Sequence, residues 1–372
     1  MTFRRVLIPV IGFVPAGGNR VLCCLATEFV RMGIEVDFLV LDAETRPPFS
    51  TEASVIYASS IDSSCMADRA GGKWGIVRNI VRLARAIRQA PAHYDLVLAS
   101  YSFVALACAI AGRGQRTLYY VQSYDPEIFA TKRNLGSRIG AALAYVSYWL
   151  CRSQVVNSPH YLGYSGISAT DFVPPGVDTA VFYPRQSAPE LLRGAIRIGI
   201  IGRSEPHKYR PVVDAFRAIR QLNPGCVLVV AYGNVPADVL AGAGTHEIVV
   251  PRNDVELAAF YRSCDVFLAL SEFAVGAFYP PLEALATGTL LISNRFLYVN
   301  EDNSWVVDGP DQVPAAFETL LACSTEEREA RRLRGIDDIA RQLPWPHVAK
   351  QLLALAEHNP GPAKVTYSGE QP

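Results

Sequence analysis

Several features that would fix the class of this 372-residue chain at once are missing from its sequence. Net charge is one, because 35 Lys and Arg are matched by 35 Asp and Glu. A surface built to grip nucleic acid would be basic overall, so nucleic acid is not expected as a partner. The eight cysteines (Cys23, Cys24, Cys65, Cys108, Cys151, Cys226, Cys264 and Cys323) form no C-x-x-C pair, and no His stands beside a Cys pair. That spacing argues against a disulfide framework and a zinc site, so no metal is expected and a reducing cytoplasm is the expected compartment. A membrane span is not expected either. The apolar stretch 96–112 divides into a strand, LVLAS, and a buried helix behind Ser102. The start, MTFRRVLIPVIGFV, has a basic end and an apolar run, but Pro9 breaks the run and a Gly-Gly loop follows, so it reads as a strand and not a leader. The dinucleotide fingerprint G-x-G-x-x-G is also absent.

What is present is a rhythm. Half the residues are hydrophobic and 19% are charged, enough to bury two cores in a chain of this length. VLIPVIGF reads as a strand, PAGGNR as a loop, VLCCLATEFVRMG as a helix ending at Gly33, and EVDFLVL as a second strand. The alternation returns after residue 195. IRIGIIGR, CVLVVAYG, DVFLAL and LLISN are strands, with helices RPVVDAFRAIRQL, ELAAFYRSC and PPLEALATG between them. Strands alternating with helices of this length predict two doubly wound parallel α/β sheets, Rossmann-like, with ligands at the carboxyl ends of the strands and a cleft between the halves. The expected domains are 1–180 and 196–345, a Pro- and Gly-rich linker over 181–195, a last helix over 346–358, and a frayed tail over 359–372.

Four places carry candidate chemistry. Gly17 and Gly18, between the first strand and first helix, would let the backbone approach an anionic ligand; a plain tight turn is the alternative. In IGRSEPHKYRP, Arg203 follows a strand and Lys208 stands just before a helix, so the two cations would clamp a diphosphate; a solvated loop is the alternative. In SEFAVGAFYPPLEALATG, the loop Gly276, Ala277, Phe278 would offer backbone amides. Glu283, read as lying in the first turn of the next helix, would accept hydrogen bonds from two ribose hydroxyls or merely complement the helix dipole. In YYVQSYDPEIF, Gln122 and Asp125 would face a saccharide, although Asp125 before Pro126 is equally a turn residue. His160 in NSPHYLGY is a secondary candidate, or a structural histidine.

The segment 271–293 resembles the nucleotide-sugar loop of the retaining glycosyltransferases of family 4, which have the two-domain GT-B fold. PAGGNR, PPGVDTAVFYP, GRSEPHK and LPWPHVAKQLLALAE resemble that family's other motifs, in the right order, over about residues 6–358. The resemblance implies a metal-independent transferase with no cofactor, using a sugar nucleotide as cosubstrate and a saccharide acceptor, lipid-linked in many relatives. It implies that Arg203 and Lys208 stabilise the leaving group, and that the last helix crosses back to the first domain. One departure stands out. The family's first Glu of this loop aligns with Val275, and Glu272 lies three residues early. An apolar wall there suits a less hydroxylated sugar, and both this loop and YYVQSYDPEIF resemble the dTDP-rhamnose-dependent subgroup. A dTDP-sugar is therefore the favoured donor, with UDP or GDP as alternatives. A GT-B protein that binds sugar nucleotides without catalysis, or a nucleotide-sugar epimerase, are the other readings.

Overall neutrality conceals an asymmetry. Residues 69–152 hold twelve basic and three acidic side chains, and Lys73, Arg78, Arg82, Arg85 and Arg88 punctuate an apolar helical pattern. This basic amphipathic helix, over about 73–88, would meet an anionic membrane at the inner face of the cytoplasmic membrane, or be an ordinary charged surface helix. The pattern IGAALAYVSYWL (139–150) reads as core rather than membrane-facing.

Overall fold

A computed structural model describes residues 3–68, 74–112, 115–130, 135–187, 195–203, 206–271 and 278–358. The side chains of His207 and Lys208, the tail 359–372, Lys73, and the loop residues Glu272, Val275, Gly276 and Ala277 lie outside that description.

The chain divides into two compact units, residues 1–175 with 345–372, and residues 176–344. In the first unit the strands are β1 (Arg5–Val10), β2 (Glu35–Val40), β3 (Ser54–Tyr57), β4 (Leu96–Ala99), β5 (Arg116–Val121) and β6 (Gln154–Val156). Its helices are α1 (Gly17–Arg31), α2 (Ala58–Ile61), α3 (Gly75–Gln89), α4 (Ser102–Ala111), α5 (Asp125–Ala130) and α6 (Leu135–Leu150). The second unit has β7 (Arg197–Ile201), β8 (Val227–Ala231), β9 (His246–Val249), β10 (Val266–Ala269), β11 (Leu290–Ser293) and β12 (Trp305–Val306). Around them lie α7 (Pro206–Leu222), α8 (Ala237–Ala241), α9 (Asp254–Ser263), α10 (Tyr279–Ala286), α11 (Val313–Ala322) and α12 (Thr325–Gln342). A last helix, α13 (Trp345–His358), groups with the first unit.

Both sheets are six-stranded and parallel. Their orders are β3-β2-β1-β4-β5-β6 and β9-β8-β7-β10-β11-β12. The expected pair of doubly wound Rossmann-like sheets is therefore present. Each has a switch point, where the chain reverses its direction of strand addition, between β1 and β4 and between β7 and β10. Central strands such as LVLA and VFLA are buried along their whole length, because helices cover both faces. In the first unit α4 packs between α3 and α6, while α1 packs with α13. Arg116 donates from Nη1 to the carbonyls of Ala356 and Glu357, at 3.0 and 3.2 Å, so a β5 side chain caps the end of α13.

The segment 176–185 is held against the second unit. Val177 N–H donates to the Leu343 carbonyl, Arg185 N–H to the Thr287 carbonyl, and Phe182 is fully buried. Residues 188–194, within the expected linker, are outside the described residues.

Three local readings change. Gly17 and Gly18 are not in a loop but open α1, with Ala16 as its N-cap. The helix read from Arg210 starts a turn earlier, at Pro206, and carries Pro211 inside it. Pro is ordinarily a helix-start signal, which displaced the sequence reading toward Pro211. The third change concerns α6. Its buried face is Ser137, Gly140, Ala144, Ser147 and Tyr148, whereas Leu135, Tyr145, Val146, Trp149 and Leu150 are exposed. Close packing goes with this choice: a Cβ on Gly140 would stand 2.9 Å from the Phe129 ring, so α5 and α6 approach through a glycine, and of the large residues of α6 Tyr148 is buried while Leu135, Tyr145, Trp149 and Leu150 are outside. Among the described residues no helix is long and apolar enough to cross a membrane.

Candidate functional site

The candidate residues of the first unit gather at the carboxyl ends of β1, β4, β5 and β6, which are neighbours in the sheet. Gln122, just past β5, ties three of these ends together. Its Nε2 donates to Ser100 Oγ beyond β4 at 2.5 Å and to the Gly18 carbonyl in α1 at 3.2 Å. Asn157, after β6, donates from Nδ2 to the Gln122 carbonyl at 2.9 Å. Gln122 thus spans the β1–β4 switch point beside Gly18, where an added Cβ would make ordinary contact with the Gln122 amide at 3.7 Å. Gly17 is exposed at the open end of α1, whose first turn has N–H groups and no acidic residue to occupy them.

Asp125 is 2% exposed. Its Oδ2 accepts from the Ser102 N–H at 3.1 Å, at the start of α4, and its Oδ1 accepts from Ser123 Oγ at 2.8 Å. The Tyr148 hydroxyl accepts from the Asp125 N–H at 3.2 Å. Burial pushes the Asp125 carboxyl up from its ordinary value, and the serine hydrogen bonds pull the other way. Tyr148 stacks on Tyr119 and on Tyr124, with ring centroids 5.5 and 5.8 Å apart. Burial drives the Tyr119 and Tyr148 hydroxyls well up, so both stay neutral. Asp125 therefore holds the α4 terminus from across the sheet end. His160, in a short turn after β6, meets Tyr164 Oη through Nε2 at 2.6 Å, and Tyr164 packs edge-on against Tyr124. Gln122, Asp125 and His160 belong to one network of tyrosines, serines and amides. Sequence reading gave no role to Ser100, Ser102, Asn157 or Tyr148; Ser100, at the end of LVLAS, and Ser102, read as the start of the next helix, had a visible signal.

In the second unit, Arg203 is exposed just beyond β7. Its approach is set by Gly202, where a Cβ would fall 2.8 Å from the Ala231 carbonyl and 3.1 Å from the Asn234 N. Only glycine lets β7 pass the end of β8 so closely. Lys208 is the third residue of α7 and not ahead of it. Phe278 is the N-cap of α10 and lies against Phe296, ring centroids 5.1 Å apart. Pro280 and Pro281 leave only Tyr279 and Leu282 with N–H groups among the first four residues of α10, so this terminus has half the usual donors for an anion.

Glu283 is the fifth residue of α10, not in the first turn, because the helix begins one residue before the proline pair. The helix-dipole reading of Glu283 loses its basis, since that effect fades beyond the first turn. The side chain is 2% exposed, and its Oε2 accepts from Tyr261 Oη at 2.8 Å. Tyr261, on α9, is itself fully buried, and its carbonyl accepts from Thr289 Oγ1. The Glu283 carboxylate is thus held at depth by an aromatic hydroxyl, on the helix that follows the central strand β10.

Residues 15–181, under half of the chain, match the profile of a family described as Glycosyltransferase Family 4. No curated protein matches in sequence. Among solved structures, sucrose-phosphate synthase from Thermosynechococcus elongatus is similar over 95% of this chain and 98% of its own, at 16% identity and a TM-score of 0.73. HepE from Anabaena, in complex with UDP and glucose, is similar over 95% and 99%, at 14% identity and a TM-score of 0.67. A glycosyltransferase from Rickettsia africae is similar over 96% and 99%, at 14% identity and a TM-score of 0.68. The chain has the GT-B fold of these enzymes, and its residues 15–181 match Glycosyltransferase Family 4.

Proposed function

We propose that the protein is a retaining, metal-independent glycosyltransferase that moves a sugar from a nucleotide diphosphate to a saccharide acceptor. The observation that carries this reading is the match of residues 15–181 to Glycosyltransferase Family 4 on a chain of GT-B fold. The second unit takes the nucleotide sugar. Glu283, steadied by Tyr261, accepts from the ribose hydroxyls, the loop through Gly276, Ala277 and Phe278 offers amides, and Arg203 with Lys208 offsets the charge growing on the departing diphosphate. The first unit takes the acceptor, with Gly17 and Gly18 at the open α1 terminus available to the donor. At the strand ends of that unit Gln122 ties Ser100 to Gly18, Asp125 holds the start of α4, and His160 meets Tyr164. HepE is complexed with UDP and glucose; for this chain, Val275 in place of the family's Glu favours a deoxysugar such as rhamnose on dTDP. The acceptor is a lipid-linked saccharide or polysaccharide end, met at the inner face of a cytoplasmic membrane.

The test is incubation with radiolabelled dTDP-, UDP- and GDP-sugars and a membrane extract, together with a thermal-shift screen of the same nucleotides. Transfer that is lost in Arg203→Ala and Glu283→Ala, with both variants still folded, supports the assignment; full activity in either overturns its site. Val275 also favours a second reading, a sugar-nucleotide-binding protein without catalysis, which any turnover rejects.

A further inference from the structure

The membrane reading drawn from the sequence rests on α3, yet the arginines of α3 are drawn into their own unit. Arg78 pairs with Asp68, Arg82 donates to the Met66 carbonyl at 2.8 Å, Arg85 to Ser64 Oγ at 3.1 Å, and Arg88 to the Ile110 and Ala111 carbonyls. α6 is arranged the other way. Leu135, Arg138, Ala142, Tyr145, Val146 and Trp149 recur at three to four residues, which places them on one stripe of the helix, and each is exposed. Arg152 follows just after its end, also exposed. The guanidinium groups of Arg138 and Arg152 have no hydrogen bond or ion pair among the described residues. Trp149 is 66% exposed and Leu135 61%. A helix of 16 residues runs about 24 Å, so the stripe is long enough to lie along a bilayer surface.

We infer that the outer face of α6 is a docking surface for an anionic lipid bilayer. Tyr145 and Trp149 have the amphipathic rings that settle at headgroup depth, Leu135, Val146 and Leu150 reach below, and Arg138 and Arg152 meet lipid phosphates at either end. Charge decides between a bilayer and a second copy of the chain. α6 has no acidic residue, so an antiparallel second copy would set Arg138 against Arg152, like charge on like. An anionic surface meets both with opposite charge. The inference shares with the proposed function only the location of the acceptor.

The test uses the full chain and no sugar nucleotide, so its failure and that of the transferase reading are separate. Wild type is expected to co-sediment with phosphatidylglycerol–phosphatidylcholine vesicles, less so as salt rises, and to bind pure phosphatidylcholine weakly. Trp149→Glu is expected to bind about tenfold or more weakly, from the loss of one buried aromatic. Val250→Glu, an equally exposed apolar position in the second unit, is expected to bind as wild type. Vesicles are expected to shift tryptophan emission to the blue in wild type and in Trp74→Phe but not in Trp149→Phe. Equal binding to both lipid mixtures, wild-type binding by Trp149→Glu, or a blue shift that follows Trp74 would overturn the inference. So would a concentration-dependent dimer that Trp149→Glu abolishes, since a second copy would then own the face.

Discussion

Replacing Asp125 in two ways separates holding a helix from touching a sugar. Asp125→Ala removes the acceptor for the Ser102 N–H, a group buried at the start of α4, and for Ser123 Oγ. One buried N–H left without a partner costs about 1–3 kcal/mol, and the lost acceptor for Ser123 Oγ brings the total to about 2–3 kcal/mol. For a unit of this size that lowers Tm by roughly 5–10 °C. Asp125→Asn keeps an oxygen for Ser102 and can donate to Ser123, so it costs under about 1 kcal/mol. The pH dependence gives a second reading of the same residue. Burial raises the carboxyl pKa in the folded state, so the folded chain still holds the proton at pH values where the unfolded chain has lost it. The stability contributed by Asp125 is then complete below the unfolded value of about 3.9 and is lost as pH rises through the higher folded one. Asp125→Asn lacks this loss. The Tm of Asp125→Asn relative to wild type should therefore climb with pH from about 4 and then level off. Calorimetry of the three proteins across pH is the measurement. Wild type gaining on Asp125→Asn with rising pH would show that the Ser102 and Ser123 hydrogen bonds outweigh burial and refute the raised carboxyl, whereas Asp125→Ala melting as wild type would refute the capping argument. Sugar transfer by a well-folded Asp125→Asn at the wild-type rate would leave Asp125 as a positioning residue alone.

The other predictions concern smaller parts of the molecule. Tyr261→Phe removes the hydroxyl that holds Glu283 and should weaken nucleotide-sugar binding several-fold. Glu283→Gln should weaken it about tenfold or more, both read by calorimetric titration, and Tyr261→Phe should also lower Tm because it leaves a buried carboxylate one partner short. Gly202→Ala places a Cβ 2.8 Å from the Ala231 carbonyl, a backbone group that cannot swing away. It should displace the Arg203 turn and lower both Tm and nucleotide affinity, whereas unchanged values would mean the turn is pliable. Arg116→Ala uncaps α13 at Ala356 and Glu357 and should speed proteolytic removal of that helix before global unfolding, as read by limited digestion.

Alternating strands and helices, with Gly33 ending α1 in a left-handed turn, were enough to predict two parallel doubly wound sheets, because periodicity and breakers are local properties of the chain. The candidate positions Gly18, Gln122, Arg203 and Glu283 were chosen because ligands in such sheets gather after strands, and each does lie in the segment that follows a strand. Their partners were not. Tyr261 is 22 residues from Glu283, and Ser102 is 23 residues from Asp125, with nothing local to link them. The start of α7 was hidden by Pro211, a strong local signal overridden by an added turn. The face of α6 was the least readable of all. A helix apolar nearly all round has no periodicity to choose its buried side. That choice fell to Gly140 meeting Phe129, which put two serines, Ala144, the glycine and Tyr148 inside and left Trp149 out, a decision that only the packing of α5, α4 and α6 could make.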